Sequence, residues 1–337
     1  MNTYGRVRRF CRGLIRGSLI LFPIAVGLFL GNLYTTREVI QDVGGLPEVY
    51  AQAEQKQTLV TFTEETKEEP DYLAEAKKNQ VLYEELQIDP TSPRKLGEQE
   101  LNNILRQLAR KNEKFQVVYE KREELPWGLK ASVCNYPEMI DFVLGFFAQE
   151  VAEVRYTKTE RNQKYPLLLQ WDKRWGYHPY GGYNVATSGC APTCLAMVAF
   201  GLTRDEEITP DVVGDYAMKQ KYYLPGTGTK WALLSEGAEQ FGLHAIFLER
   251  DEELIREKLA DGMPIICSMK EGNFTAIGHF IVLTGLDEEG LVCVNDPNSL
   301  ARSERRWKLS TVISQTKQMW GYTLEGVGVS MELVGSF

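Results

Sequence analysis

Three residues able to carry thiol chemistry stand in the C-terminal half of this 337-residue chain: Cys190, His279 and Asp296. Cys190 opens the apolar run CLAMVAF, whose composition predicts a buried helix beginning at the cysteine. Gly189 lets the chain turn tightly before it, Ser188 or Thr187 can cap, and Pro192 falls in the first turn, where its missing N–H costs nothing. A thiol at a helix N-terminus has its thiolate favoured by the unpaired N–H groups and the helix dipole, as a nucleophilic cysteine requires.

A nucleophile needs a base, and the base needs an orienting group. The segment HFIVLTGLDEEGLVCVNDP reads as two apolar, β-branched strands joined at Glu288-Glu289. If Asp287 pairs with Gly290, Asp296 lies opposite Ile281, diagonal to His279 on the same face and within side-chain reach. In that register Asp296 can orient the His279 imidazole, and His279 can take the Cys190 proton. A slip of one residue would destroy the arrangement. Taken singly, each residue also has a bland reading: a buried small thiol, a satisfied strand-end histidine, a turn aspartate before Pro297. His178 lies in a Gly/Tyr loop and His244 beside Phe241-Gly242, and both read as structural.

Around these residues the chain resembles the C39-like cysteine peptidases of papain fold, in their stand-alone extracytoplasmic branch. The resemblance runs from Leu168 to about Gly321. It is carried by Gln170 with Asp172-Lys-Arg-Trp175-Gly176, by Gly189-Cys190-Ala191-Pro192-Thr193 with Ala196-Met197, by Gly278-His279-Phe280 and by Asn295-Asp296-Pro297. It implies an α+β fold in which the nucleophile helix packs on an antiparallel sheet. It also implies that Cys190 is the nucleophile, His279 the general base and acid, Asp296 the orienting residue and Gln170 the oxyanion donor beside the Cys190 backbone N–H. Ala191 stands where many members have glycine, and Gln170 lies further before the cysteine than is common.

The rest of the chain must position this domain. Net charge is −8, but residues 1–36 hold five arginines (Arg6, Arg8, Arg9, Arg12, Arg16) and no acid, so the remainder carries −13. Residues 17–36 are uncharged, and a helix of that length spans the ~30 Å hydrocarbon core. Arginines on its N-terminal side put residues 1–16 in the cytoplasm and the rest outside the cell membrane. The alternative is secretion after signal cleavage, for which Ala25-Val26-Gly27 offers suitably small residues. Residues 37–98 read as an acidic stalk, with short helices plausible at 46–57 and 71–86, and residues 99–160 as a helical segment. Within that segment the spacing of Leu101, Ile104, Leu105, Leu108, Phe115 and Val118 predicts one amphipathic helix over 98–122. Asn135 is expected to cap a second helix, with Pro137 in its first turn. The peptidase-like domain occupies 161–337.

The acidic body argues against a nucleic-acid partner. Gly226-Thr227-Gly228-Thr229-Lys230 lacks phosphate-loop spacing, so no nucleotide is expected, and no cysteine or histidine spacing suits a metal or cofactor. Cys267 and Cys293 fall in predicted strands, where a bridge between them is open. Trp171, Trp175, Tyr177, Tyr180 and Tyr183 read as packing around a loop. The function expected is a membrane-anchored, outward-facing cysteine peptidase acting on a peptide or protein substrate through a thioester. Two alternatives are a cell-wall peptide amidohydrolase using the same residues and a catalytically silent peptide-binding module.

Overall fold

The computed structural model describes residues 71–148, 152–324 and 326. The cytoplasmic head, the 17–36 span and residues 37–70 of the stalk lie outside the described residues. Among the described residues no helix is long and apolar enough to cross a membrane.

A six-stranded antiparallel sheet organises the C-terminal half: β1 (Leu243–Leu248), β2 (Ile265–Met269), β3 (His279–Leu286), β4 (Val292–Asn295), β5 (Arg306–Trp307) and β6 (Thr316–Leu324), in the order β1-β6-β2-β3-β4-β5. Alternation along the strands gives the sheet two apolar faces. Ile266, Val282, Trp320 and Tyr322 join a cluster with Cys194, Leu195 and Val198 of the helix Cys190–Thr203. Ile265, Cys267, Ile281 and Leu283 join another with Ile255 and Leu259 of the helix Glu252–Ala260 and Val312 of the helix Leu309–Ser314. The Cys190 helix is buried from Ala191 through Phe200, as a helix apolar on every side must be. Each of Leu195, Val198 and Phe200 contributes up to about 1.5–3 kcal/mol by leaving water.

The hairpin between β3 and β4 differs from the expected one in two places that cancel. The loop holds three residues, 288–290: the Asp287 N–H donates to Leu291 O at 2.9 Å, and Gly290 takes the left-handed conformation (φ 73°). That moves the register by one residue, so Leu286 pairs with Val292. A bulge between Leu283 and Gly285 moves it back, and Val282 pairs with Asn295. Asp296 therefore leaves the ladder one step beyond the pair that the two-residue loop would have given.

N-terminal to the sheet, short helices pack into the same core as the Cys190 helix. Ala76 (helix Tyr72–Asn79), Leu82 and Leu86 (helix Val81–Leu86) and Leu96 are buried in one cluster with Leu101, Phe115, Val133, Trp175 and Leu195. Residues 71–98 are thus part of the folded body, not of a solvated stalk. Their apolar residues are few but fall on one face, which an average over the acidic stretch conceals. The helix expected over 98–122 is two, Glu98–Ala109 and Glu113–Glu120, because Asn112 breaks it and caps the second by accepting from Lys114 N at 3.0 Å. Asn135 is not an N-cap: it ends the helix Trp127–Asn135, and Pro137 opens a 3₁₀ turn, Pro137–Met139, before the helix Ile140–Gly145.

Candidate active site

Cys190 is the first residue of its helix, where the leading N–H groups have no partner inside the helix. The residue before it is a glycine because space demands it. A Cβ on Gly189 would come within 2.6 Å of both Cγ1 and O of Val185, while its φ of −92° is ordinary. Neither Ser188 nor Thr187 caps the helix, which has no side-chain cap. Asn184 instead caps the preceding short helix, Val185–Ser188, accepting from Thr187 N at 3.1 Å.

His279 and Asp296 meet as the register implied: His279 Nε2 lies 2.7 Å from Asp296 Oδ1, with His279 7% exposed and Asp296 wholly buried. That contact leaves Nδ1 outside the carboxylate pairing. Burial opposes a charge on His279, but the Asp296 carboxylate and its hydrogen bond, together with a hydrogen bond to Cys190, outweigh it and raise the pKa to about 9. Asp296 is pushed up by burial and pulled down more strongly by the Arg302 and His279 charges, ending well below the usual carboxylate range. An imidazolium that keeps its proton to about pH 9 can deliver it to a leaving group in the cleft that Cys190 also lines.

Arg302 gives no sign in the sequence beyond its position on the short helix Leu300–Glu304, yet it completes the site. Its Nε donates to Asp296 Oδ2 at 2.7 Å, and its Nη1 to Pro90 O at 3.1 Å, with both charged side chains fully buried. Nearby, the buried Glu138 accepts from Tyr83 Oη at 2.9 Å, Ser299 Oγ at 2.6 Å and Ala301 N at 3.2 Å. The start of the helix that carries Arg302 is thereby tied to the N-terminal helices.

Gln170 lines the cleft with Cys190 and His279. Its backbone N–H donates to Pro297 O at 2.7 Å and its Nε2 to Ala186 O at 2.6 Å, whereas Oε1 is buried without a partner. One proton of the amide is committed and the other is free. The segment is anchored by Arg174, which is buried against Asp172 and Glu160.

The cleft continues to both sides of Cys190. One side, a cavity of about 180 Å³, is walled by Pro93, Arg94, Lys95, Leu96, Trp127 and Tyr136 opposite Gln170 and His279. The other, of about 570 Å³, runs past Tyr223, Thr227, Trp231, Met269 and Lys317. Trp171, Trp175 and Tyr180 are buried, Tyr177 stacks on Phe142 at 4.3 Å, and none of these lines either part of the cleft. The Gly226–Lys230 motif forms part of a hairpin, Tyr223–Leu224 with Gly228–Thr229. His178 pairs with Asp215 at 2.8 Å and His244 lies exposed on β1.

Cys134, Cys190, Cys194, Cys267 and Cys293 are all free. A Cys267–Cys293 bridge is not formed, since β3 runs between the strands that carry them. Among the described residues no group of three or more His, Cys, Asp or Glu is disposed to hold a metal.

A helix heading into the cleft with its cysteine, packed on an antiparallel sheet that carries the histidine, is the layout of papain-like peptidases. Residues 162–325 match the model of the Peptidase_C39 like family, which supports the resemblance read from the sequence. No curated protein matches the chain.

Proposed function

We propose that the chain is a cysteine peptidase in which Cys190, His279 and Asp296 act as nucleophile, acid–base and orienting residue. The observation that carries this is a buried His279–Asp296 pair, 2.7 Å apart, whose histidine lines the same cleft as Cys190 at the start of its helix. The Cys190 thiolate attacks the scissile carbonyl carbon, and the resulting oxyanion is met by the Cys190 backbone N–H and the uncommitted amide proton of Gln170. The His279 imidazolium gives its proton to the leaving amine as the C–N bond breaks, leaving a thioester. His279 then takes a proton from water, which attacks the thioester and releases the acid and the thiolate.

Cys190→Ala should abolish peptide cleavage, a loss on the order of 10⁴-fold or more, together with labelling by a thiol-reactive peptide probe. Equal labelling of the wild type and the variant would overturn the assignment.

The five arginines of 1–16 and the uncharged stretch 17–36 support a single cell-membrane span with the N-terminus in the cytoplasm and the peptidase outside. Protease added to intact cells should then digest the catalytic domain, and protection of that domain would sink this topology.

A further inference from the structure

The charge of the cleft opposes that of the chain. In a protein with 46 acidic and 38 basic residues, neither part of the cleft is lined by a single Asp or Glu. Its charged side chains apart from His279 are Arg94 and Lys95 on one side of Cys190 and Lys317 on the other. All three are exposed, and none forms an ion pair with a described residue. Two cations on one wall of a cleft that no carboxylate lines repel each other and attract an incoming anion.

The wall that holds Arg94 and Lys95 is a fixed part of the fold. Its backbone is pinned along the strap 90–94: Pro90 O accepts from Arg302 Nη1 at 3.1 Å, Thr91 O from Asn273 Nδ2 at 3.1 Å and Arg94 O from Asn135 Nδ2 at 3.0 Å. Arg94 N donates to Asn135 Oδ1 at 2.8 Å, so the buried Asn135 brackets this residue from both ends of its peptide units. Beside these cations Trp127 is 50% exposed, and Ile277, which borders both parts of the cleft, is 71% exposed. The strap and Trp127 lie outside the matched segment 162–325, so this wall belongs to the chain's own N-terminal helices.

We infer that the cleft selects an acidic peptide: carboxylate side chains on the segment lying along Arg94 and Lys95, next to an apolar side chain that packs on Trp127. The inference rests on the peptidase reading for its catalytic readout but not for binding. An exposed charge pair is worth about threefold in affinity, so two together give about tenfold.

The test compares three peptides of one scaffold with Glu, Gln or Lys at the varied positions. At low salt, kcat/KM for the Glu peptide should exceed that for the Gln peptide about tenfold, with the Lys peptide poorest. In Arg94→Ser/Lys95→Ser the Glu-to-Gln ratio should fall to about two or less, with the thermal midpoint reporting that the variant is folded. Should it not fold, raising salt on the wild type must shrink the same ratio. Equal rates for the Glu and Gln peptides, or a ratio that survives both the substitutions and salt, would overturn the inference. Binding of the three peptides to Cys190→Ala separates the two claims. A Glu preference in binding without cleavage by the wild type supports the cationic, acid-selecting cleft and defeats the peptidase reading, whereas cleavage without any preference does the reverse.

Discussion

Two buried arginines in this molecule solve opposite charge problems. Arg174 serves two carboxylates: its Nε and Nη2 reach Asp172 at 3.1 and 2.8 Å, its Nη2 and Nη1 reach Glu160 at 2.6 and 2.8 Å, and Nη1 also donates to Arg155 O. Arg302 serves one carboxylate, which it shares with His279, and its Nη2 has no partner. The carboxylates respond accordingly. Burial pushes Asp172 up and neighbouring Glu160 adds to this against the pull of Arg174, so it ends above its ordinary value. Asp296 meets the same burial, but two cations face it and it ends far below. One arginine between two acids makes a clamp for the Gln170 segment. One acid between two cations holds a histidine charged while leaving its other nitrogen available.

The largest effect that tests this contrast is on stability. Arg174→Met would strand two buried carboxylates and should cost about 3–5 kcal/mol in denaturant unfolding. A loss below about 1 kcal/mol would mean that the clamp is not closed. Arg302→Met leaves Asp296 with His279 as its counter-charge and should cost less, about 2–3 kcal/mol. Its distinguishing mark is kinetic. Without the hold on Oδ2 the Asp296–His279 pair loses its fixed orientation, so kcat should fall about tenfold with little change in KM. The basic limb of the pH–rate profile, set by His279 at about 9, should move upward because a neighbouring cation has gone. A kcat loss with an unmoved limb would reduce Arg302 to a structural role.

Much of this was readable in the residues, and the limits have physical causes. Cys190 at a helix start followed from an apolar run with glycine before it, and the pairing of His279 with Asp296 from strand alternation. The pairing emerged although the loop length was one residue short, because the bulge at Thr284 restores the register. No pattern in a single strand announces a bulge, since its signal is only the mismatch between turn and core. Arg302 was invisible because nothing local marks its contact with Asp296, six residues before it, and its other partner, Pro90, lies 212 residues away. The cleft wall was missed for the same reason. Arg94 and Lys95 read as ordinary solvated charge, and only the strap's anchorage at Asn135, itself expected as a helix cap, turns them toward the site.

Glu138 decides how complete the contrast is. It lies near Arg302, and if it were ionised at neutral pH the site cluster would hold two carboxylates, as the clamp does. Burial raises it from 4.5 to about 7, against the hydrogen bonds from Ser299 and Tyr83 and the charge of Arg302. Since its folded pKa exceeds the unfolded value, the stability tied to its proton is complete below about pH 4.5 and is lost as pH rises through about 7. Glu138→Gln removes that dependence. Gln can keep an oxygen toward Tyr83 and Ser299 but sets an NH₂ against the Ala301 N–H, so the variant should be the less stable protein at pH 5. Between pH 5 and 8 the wild type should lose about 1–2 kcal/mol more than the variant, so the gap between them closes or reverses. Parallel pH–stability curves from denaturant titrations would instead mean that Glu138 is charged throughout. The two arginine sites would then differ in geometry alone.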